Sequence, residues 1–256
     1  MKFNPLIGFW HAVDLDQVKD GLNSIPCDKF QVSYFPYPFP HRIIEKFFKD
    51  NSQYTHLIMI PNDLVYNMDN FEKTKEIIEK HDYPVLSGIC NVDLKEYKDK
   101  WNVCQSLPAL PYIHRRYRWL ADSTRKALII AGLRLLPVKF AGYPALCIRR
   151  DVLDLVKINK LNNTIKTKEL PIWESRGGYS NDLIFCHNLH DKGISIMCDL
   201  ENTMLHFRYT GKSQICIKPE KVKFIPNGEL IDFDVTSVPN SEIQKLCQEI
   251  KRQAKL

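Results

Sequence analysis

The sequence has no apolar run that approaches the roughly 18 residues needed to cross a bilayer. The nearest, residues 127–138 (ALIIAGLRLLPV), is short and broken by Arg134. It has no CxxC pair and no cysteines at metal-ligand spacing, although cysteine occurs at 27, 90, 104, 147, 186, 198, 216 and 247. A disulfide framework is not expected, because 256 residues suffice for stabilisation by core burial. Cys90, Cys147 and Cys186 lie inside apolar runs, where a thiol behaves as a small hydrophobe, and this usage suits a reducing cytoplasm. Repeats, low-complexity tracts and linkers are missing, and residues 1–17 reach acidic side chains too early for a secretory signal. A soluble or peripherally attached protein is expected.

What is present is ordinary for a folded chain. Hydrophobic residues make up 44% and charged residues 26%, and the length allows one large α/β domain or two small ones. A net charge of +6 favours anionic partners such as a nucleotide diphosphate, a phospholipid surface or nucleic acid, without choosing among them. A well-solvated basic surface carries the same excess.

Apolar periodicity supplies the architecture. Residues 5–13 read as a strand entering a loop, 15–25 as a helix capped by Asp14, and 30–35 as a second strand. The PYPFP stretch at 36–40 excludes helix and central strand. Residues 41–50 have helical spacing in Ile44, Phe47 and Phe48, and 57–60 form a short buried-strand run. A helix over 71–81 and a strand over 84–89 follow. This alternation predicts a parallel, doubly wound sheet, with ligands beyond the carboxyl ends of its strands, after Ile7, Ile60 and Ile89. Further on come a basic aromatic stretch at 114–119 (HRRYRW) and, from Ser241, a helix with Gln244 in capping-box position. The chain divides into a main domain, 1–210, and an accessory strand and helix, 211–256, packed on it.

Several segments bear chemistry. After the strand at 57–60, Asn62 and Asp63 offer an amide and a carboxylate, enough for a magnesium or manganese ion that also takes phosphates and waters. The same residues suit an ordinary turn. Gly88 and Gly142 let backbone approach a ligand, and Asp151 is placed to cap the helix of the strand-to-helix segment 140–153. Asn181 and Asp182 open an apolar helix after a double glycine, where Asp182 serves as a general base or only as a cap. The strand from 194 runs to His206, a ligand or a structural histidine. Arg42 suits a phosphate, or simply solvent, at a helix start. Trp10 or His11 can stack on or bond a base, and Trp173 and Tyr179 can stack on a sugar or anchor their loop.

The order of segments 56–67 (HLIMIPNDLVYN), 140–153 (FAGYPALCIRRDVL) and 177–206 resembles the nucleotide-sugar glycosyltransferases of the GT-A fold, over roughly residues 5–206. The resemblance implies a single α/β domain, a Rossmann-like mixed sheet sandwiched by helices. It implies transfer of a sugar from a nucleotide-sugar donor to a hydroxyl of a glycan, protein or lipid-linked acceptor. Manganese or magnesium would be held by Asp63 and His206, and the donor by Trp10, His11, Arg42, Asn62, Asp63, Gly88 and Gly142. The acceptor would meet Trp173, Tyr179 and Asn181, with Asp182 as base if the enzyme is inverting.

The chain departs from the family pattern twice. Pro61 stands where the first aspartate of an Asp-x-Asp pair is usual, and Asn181 replaces the first of two acids. A protein of the same fold that binds a nucleotide sugar without turning it over is therefore an alternative. Another is a nucleic-acid-binding module centred on 114–119. That stretch, with 127–138, also suits contact with an anionic membrane carrying a lipid-linked acceptor.

Overall fold

The computed structural model describes residues 2–11, 16–33, 39–61, 63–92, 99–106, 118–156, 181–207 and 221–225. The first part of the chain alternates as its periodicity predicts: β1 (Pro5–His11), α1 (Asp16–Asn23), β2 (Lys29–Ser33), α2 (Phe39–Asp50), β3 (His56–Pro61), a short, unforeseen β4 (Leu64–Val65), α3 (Met68–His81) and β5 (Val85–Cys90). α2 takes in Phe39 and Pro40, which corrects the exclusion of helix from 36–40, because proline is tolerated in the first turn of a helix. β2 is buried along its whole length, including Lys29, whose ammonium donates to the carbonyls of Ile25 (2.7 Å) and Cys27 (2.9 Å). A buried charge of this kind is tolerated only when its donors are met. α3 starts at Asn67, which forms a reciprocal capping box with Asn70, and stops at Asp82 in the left-handed region.

There follow β6 (Lys100–Cys104), β7 (Trp119–Ala121), α4 (Asp122–Ile130), β8 (Leu135–Val138), β9 (Phe140–Ala141), β10 (Leu146–Arg149), α5 (Arg150–Leu155), α6 (Asn181–Asp191), β11 (Ile196–His206) and β12 (Lys221–Ile225). The protein is mixed α/β around a large mixed sheet. Its strands lie in the order β12, β2, β1, β3, β10, β5, β11, β4, with β8 also paired to β11; β7, β6 and β9 form a smaller sheet. Strands β1, β2, β3, β5 and β11 share one direction, and β10 runs against both β3 and β5. The parallel strands are those expected from the alternation over residues 5–89, and the reversed β10 makes the sheet mixed. β10 enters the large sheet from β9 of the smaller sheet through the short turn 142–145 and lies antiparallel to both its neighbours.

Alternate residues of the central strands feed two cores. Leu6, Leu57 and Met59 pack with Ile43, Ile44, Phe47 and Phe48 of α2 and with Leu183 and Phe185 of α6. Ile7, Phe9, Ile58 and Ile60 pack on the other face with Val18 and Leu22 of α1 and Phe71 and Ile77 of α3.

Three local expectations resolve as follows. Asp151 does not cap α5: the N-cap is Arg149, without a side-chain bond, and Asp151 accepts from the Arg149 guanidinium at 2.7 and 2.8 Å. Residues 127–138 divide between α4 and β8, and among the described residues no helix is long and apolar enough to cross a membrane. In the 211–256 segment, β12 pairs antiparallel with β2, while Ser241 and Gln244 lie outside the described residues, as does Asp14.

Candidate functional site

The carboxyl ends of β1, β3, β5 and β11 lie along one edge of the sheet. They carry Trp10 and His11, Pro61 with Asp63 two residues on, Cys90 followed by Asn91, and His206. Open α/β sheets bind ligands at such edges.

β11 reaches this edge only after a bulge between Cys198 and Thr203. An amide network built on α3 holds the bulge. The Asn70 amide donates to Asn202 Oδ1 (2.8 Å) and to the Thr203 carbonyl (3.0 Å), and Asn202 donates back to the Asn70 carbonyl (3.2 Å) and to Thr74 Oγ1 (3.1 Å). Beyond the bulge β11 pairs with β4, His206 opposite Leu64, and the Phe207 amide donates to the Asp63 carbonyl at 2.7 Å. His206 Nε2 thereby comes to stand 3.3 Å from Asp63 Oδ2.

The other nitrogen of that ring, Nδ1, lies 3.1 Å from the Asn91 carbonyl oxygen. A carbonyl only accepts, so Nδ1 must carry the hydrogen. In the neutral ring Nε2 then turns a lone pair toward a carboxylate oxygen, an arrangement that requires a proton or a cation between them. A metal-bound histidine is held in the same way, with its second nitrogen donating to a carbonyl. The Asp63 and His206 side chains are 24% and 19% exposed, sheltered but open to a ligand. One carboxylate and one imidazole would give a divalent cation two protein ligands. Among the described residues no group of three or more His, Cys, Asp and Glu side chains stands together to hold an ion, so phosphates and waters would complete the shell.

Asp182 occupies the first turn of α6 and accepts from the Leu183 amide at 2.8 Å through Oδ1. Its Oδ2 lies 3.1 Å from the point a Cβ on residue 142 would occupy, so glycine at 142 is what admits the carboxylate. The turn that begins there has two residues with side chains in the left-handed region, Tyr143 (φ 31°) and Ala145 (φ 50°). Buried Tyr143 stacks on His41 (5.2 Å between centroids) and lies edge-on to Trp10 (6.1 Å), while His41 meets Trp10 edge-on at 4.2 Å. The half-buried Trp10 indole is thus braced from behind by two rings.

The remaining expected residues are dispersed. Arg42 is exposed in the first turn of α2, next to buried His41. His11 ends β1 in register with Ser33, and Asn181 is the first residue of α6. Gly88 serves packing: its open side is filled by the Met204 side chain and by backbone oxygens of Asn202 and Pro144, which leaves no ligand approach there. Asn62, Trp173 and Tyr179 lie outside the described residues, as does most of the 114–119 stretch. Burial pushes the Cys104 thiol up to about 12 and raises those of Cys147, Cys186 and Cys198, which makes them core groups rather than nucleophiles. Sequence reasoning missed Asn91, Asn102, His41 and Tyr143, none of which stands in a recognisable pattern.

A cavity of about 490 Å³ lies at the opposite edge of the sheet, lined among others by Phe3, Asp28, Phe71 and Lys75. Asp28 there accepts from the hydroxyl of Tyr54, which lies outside the lining, and Lys75 pairs with Glu72. Chemistry rather than volume selects the carboxyl edge.

No protein-family model and no curated protein matches the chain. Among solved structures it is similar to the crystal structure of A197 from STIV, at 14% identity and a TM-score of 0.46, over 93% of this chain and 100% of that one.

Proposed function

We propose that the protein is a cytoplasmic glycosyltransferase of the GT-A type that moves a sugar from a nucleotide-diphosphate donor to a hydroxyl acceptor. The observation that supports this most is the Asp63–His206 pair at the carboxyl edge, with the Asn91 carbonyl fixing the histidine so that Nε2 and the carboxylate face the same point. A manganese or magnesium ion bound there would act as a Lewis acid on the departing diphosphate. Asp63 and His206 are the residues that would hold it.

The other roles follow from position. Trp10, braced by His41 and Tyr143, offers an indole face to the base. Arg42, exposed at the start of α2, offers a planar fork to a phosphate. Asp182, in the first turn of α6 with its Oδ1 accepting from the Leu183 amide, would be the base. It takes the acceptor proton as that oxygen bonds to the anomeric carbon, and the bond from that carbon to the diphosphate oxygen breaks. If the enzyme is inverting, displacement is direct and no covalent intermediate is required. The acceptor is a glycan, protein or lipid-linked hydroxyl, the last reached by peripheral membrane contact.

Pro61, in the place of a usual aspartate, favours a second reading in which the donor is bound but not turned over. Donor hydrolysis with manganese separates the two. Wild type is expected to turn over at least one nucleotide sugar, and Asp182→Asn to lose about 100-fold or more of that rate. Donor-dependent stabilisation without turnover in wild type would leave only the binding protein.

A further inference from the structure

The turn from β9 to β10 carries two residues in a backbone conformation that side chains disfavour, and such strain persists only where surrounding contacts over-determine it. Two contacts do so here. The Gly88 amide donates to the Pro144 carbonyl at 3.1 Å, which ties the far end of the turn to β5. The near end is held by two bonds from one residue of β6, Asn102, which is itself tied to β5 by a third. Its side-chain amide donates to the Gly142 carbonyl (2.8 Å), its carbonyl accepts from the Gly142 amide (3.1 Å), and its Oδ1 accepts from the Cys90 amide (3.1 Å).

Each of these contacts leads to a different part of the site. Cys90 immediately precedes Asn91, whose carbonyl orients His206. Gly142 abuts Asp182, and Asn102 Nδ2 and Asp182 Oδ2 both crowd the point where a Cβ on 142 would stand, at 3.3 and 3.1 Å. Tyr143, next along the turn, braces Trp10. β6 itself is joined to the end of β5 by the bridge between Asn91 and Trp101.

We propose that Asn102 is a positioning residue for the carboxyl-edge site: its amide holds the left-handed turn closed and so sets where Asp182 and Trp10 stand relative to Asp63 and His206. It touches neither donor nor acceptor. A catalytic consequence rests on the transferase reading given above, whereas the structural coupling does not.

Asn102→Asp tests it, because the carboxylate keeps the acceptor for Cys90 and loses the donor to Gly142. In ¹H–¹⁵N spectra the Leu183 amide, bonded to Asp182, and the Trp10 indole N–H are the reporters. Both are expected to shift in the variant by more than the amides elsewhere in the sheet, such as Ile7 and Ile58. If both stay at their wild-type positions while only the immediate neighbours of residue 102 move, Asn102 is an ordinary strand residue and the proposal is overturned. Should Asn102→Asp not fold, Asn102→Ser, smaller and neutral, is read in the same way. Where wild type turns over a donor, Asn102→Asp should lower kcat at least tenfold with KM within about twofold, and an equal loss in both would contradict positioning. Where wild type turns over nothing, the transferase reading fails and the spectra alone decide this one.

Discussion

The carboxylate of Asp182 is confined by what residue 142 lacks. A methyl group at 142 would stand 3.1 Å from Oδ2, so Gly142→Ala forces that oxygen to give way by a few tenths of an ångström. Gly142 itself has no left-handed backbone to strain, so the cost falls on the Asp182 carboxylate and on Asn102 Nδ2, 3.3 Å from the same point. The variant should fold as wild type and lose roughly tenfold in kcat with little change in KM, since small misplacements of a base are costly. Steady-state kinetics check this, and an unchanged kcat would show that Asp182 is not the base. The residues that could be found in the sequence, Asp63, Asp182, His206 and Trp10, are reactive or aromatic types at the ends of apolar runs. Asn91 could not, because it acts through a backbone carbonyl that every residue possesses. Nor could the left-handed turn, because Tyr143 and Ala145 give no glycine signal and are held by Gly88 and Asn102, remote in sequence.

At the scale of elements, α3 and β11 act as one unit. Asn70 both completes the cap of α3 and supports the β11 bulge from which the strand runs on to His206. Asn70→Ala removes those bonds and leaves the buried Asn202 Oδ1 and the Thr203 carbonyl without their donor, a loss of about 2–4 kcal/mol. Urea denaturation should register it, together with weaker stabilisation by manganese if the bulge sets the reach of His206. A loss within experimental error would make the network incidental. The order and type of the elements from β1 to β5, apart from the two-residue β4, were legible in the helical and extended periodicities, because each helix buries one face and each strand both. The reversed β10 was not, since its apolar run has the same composition whichever way it enters the sheet. The bulge was not either, because it depends on amides more than 120 residues apart.

Across the whole molecule the two edges of the sheet have different tasks. The amino edge is structural and contains His56, fully buried, with Nε2 4.0 Å from Asp82 Oδ1 and neither atom hydrogen-bonded among the described residues. Burial, only partly opposed by Asp82, lowers the imidazole pKa from 6.5 to about 4. Because the folded value is depressed, the neutral ring contributes its full stability above pH 6.5, and that contribution drains away as pH falls toward 4. The loss amounts to about 3 kcal/mol at most. Urea midpoints for wild type and His56→Gln should therefore diverge between those values, wild type falling more steeply; parallel curves would refute the assignment. The carboxyl edge is where the proposed activity stands or fails, and thermal melting with a panel of nucleotide sugars, with and without manganese, tests it most directly. A ligand that binds only the folded state raises the melting temperature, so at least one donor should raise that of wild type by about 2 °C or more with manganese, and not in Asp63→Asn. No shift with any donor, or the same shift in Asp63→Asn or after chelation, would contradict a metal-dependent nucleotide-sugar site at Asp63 and His206.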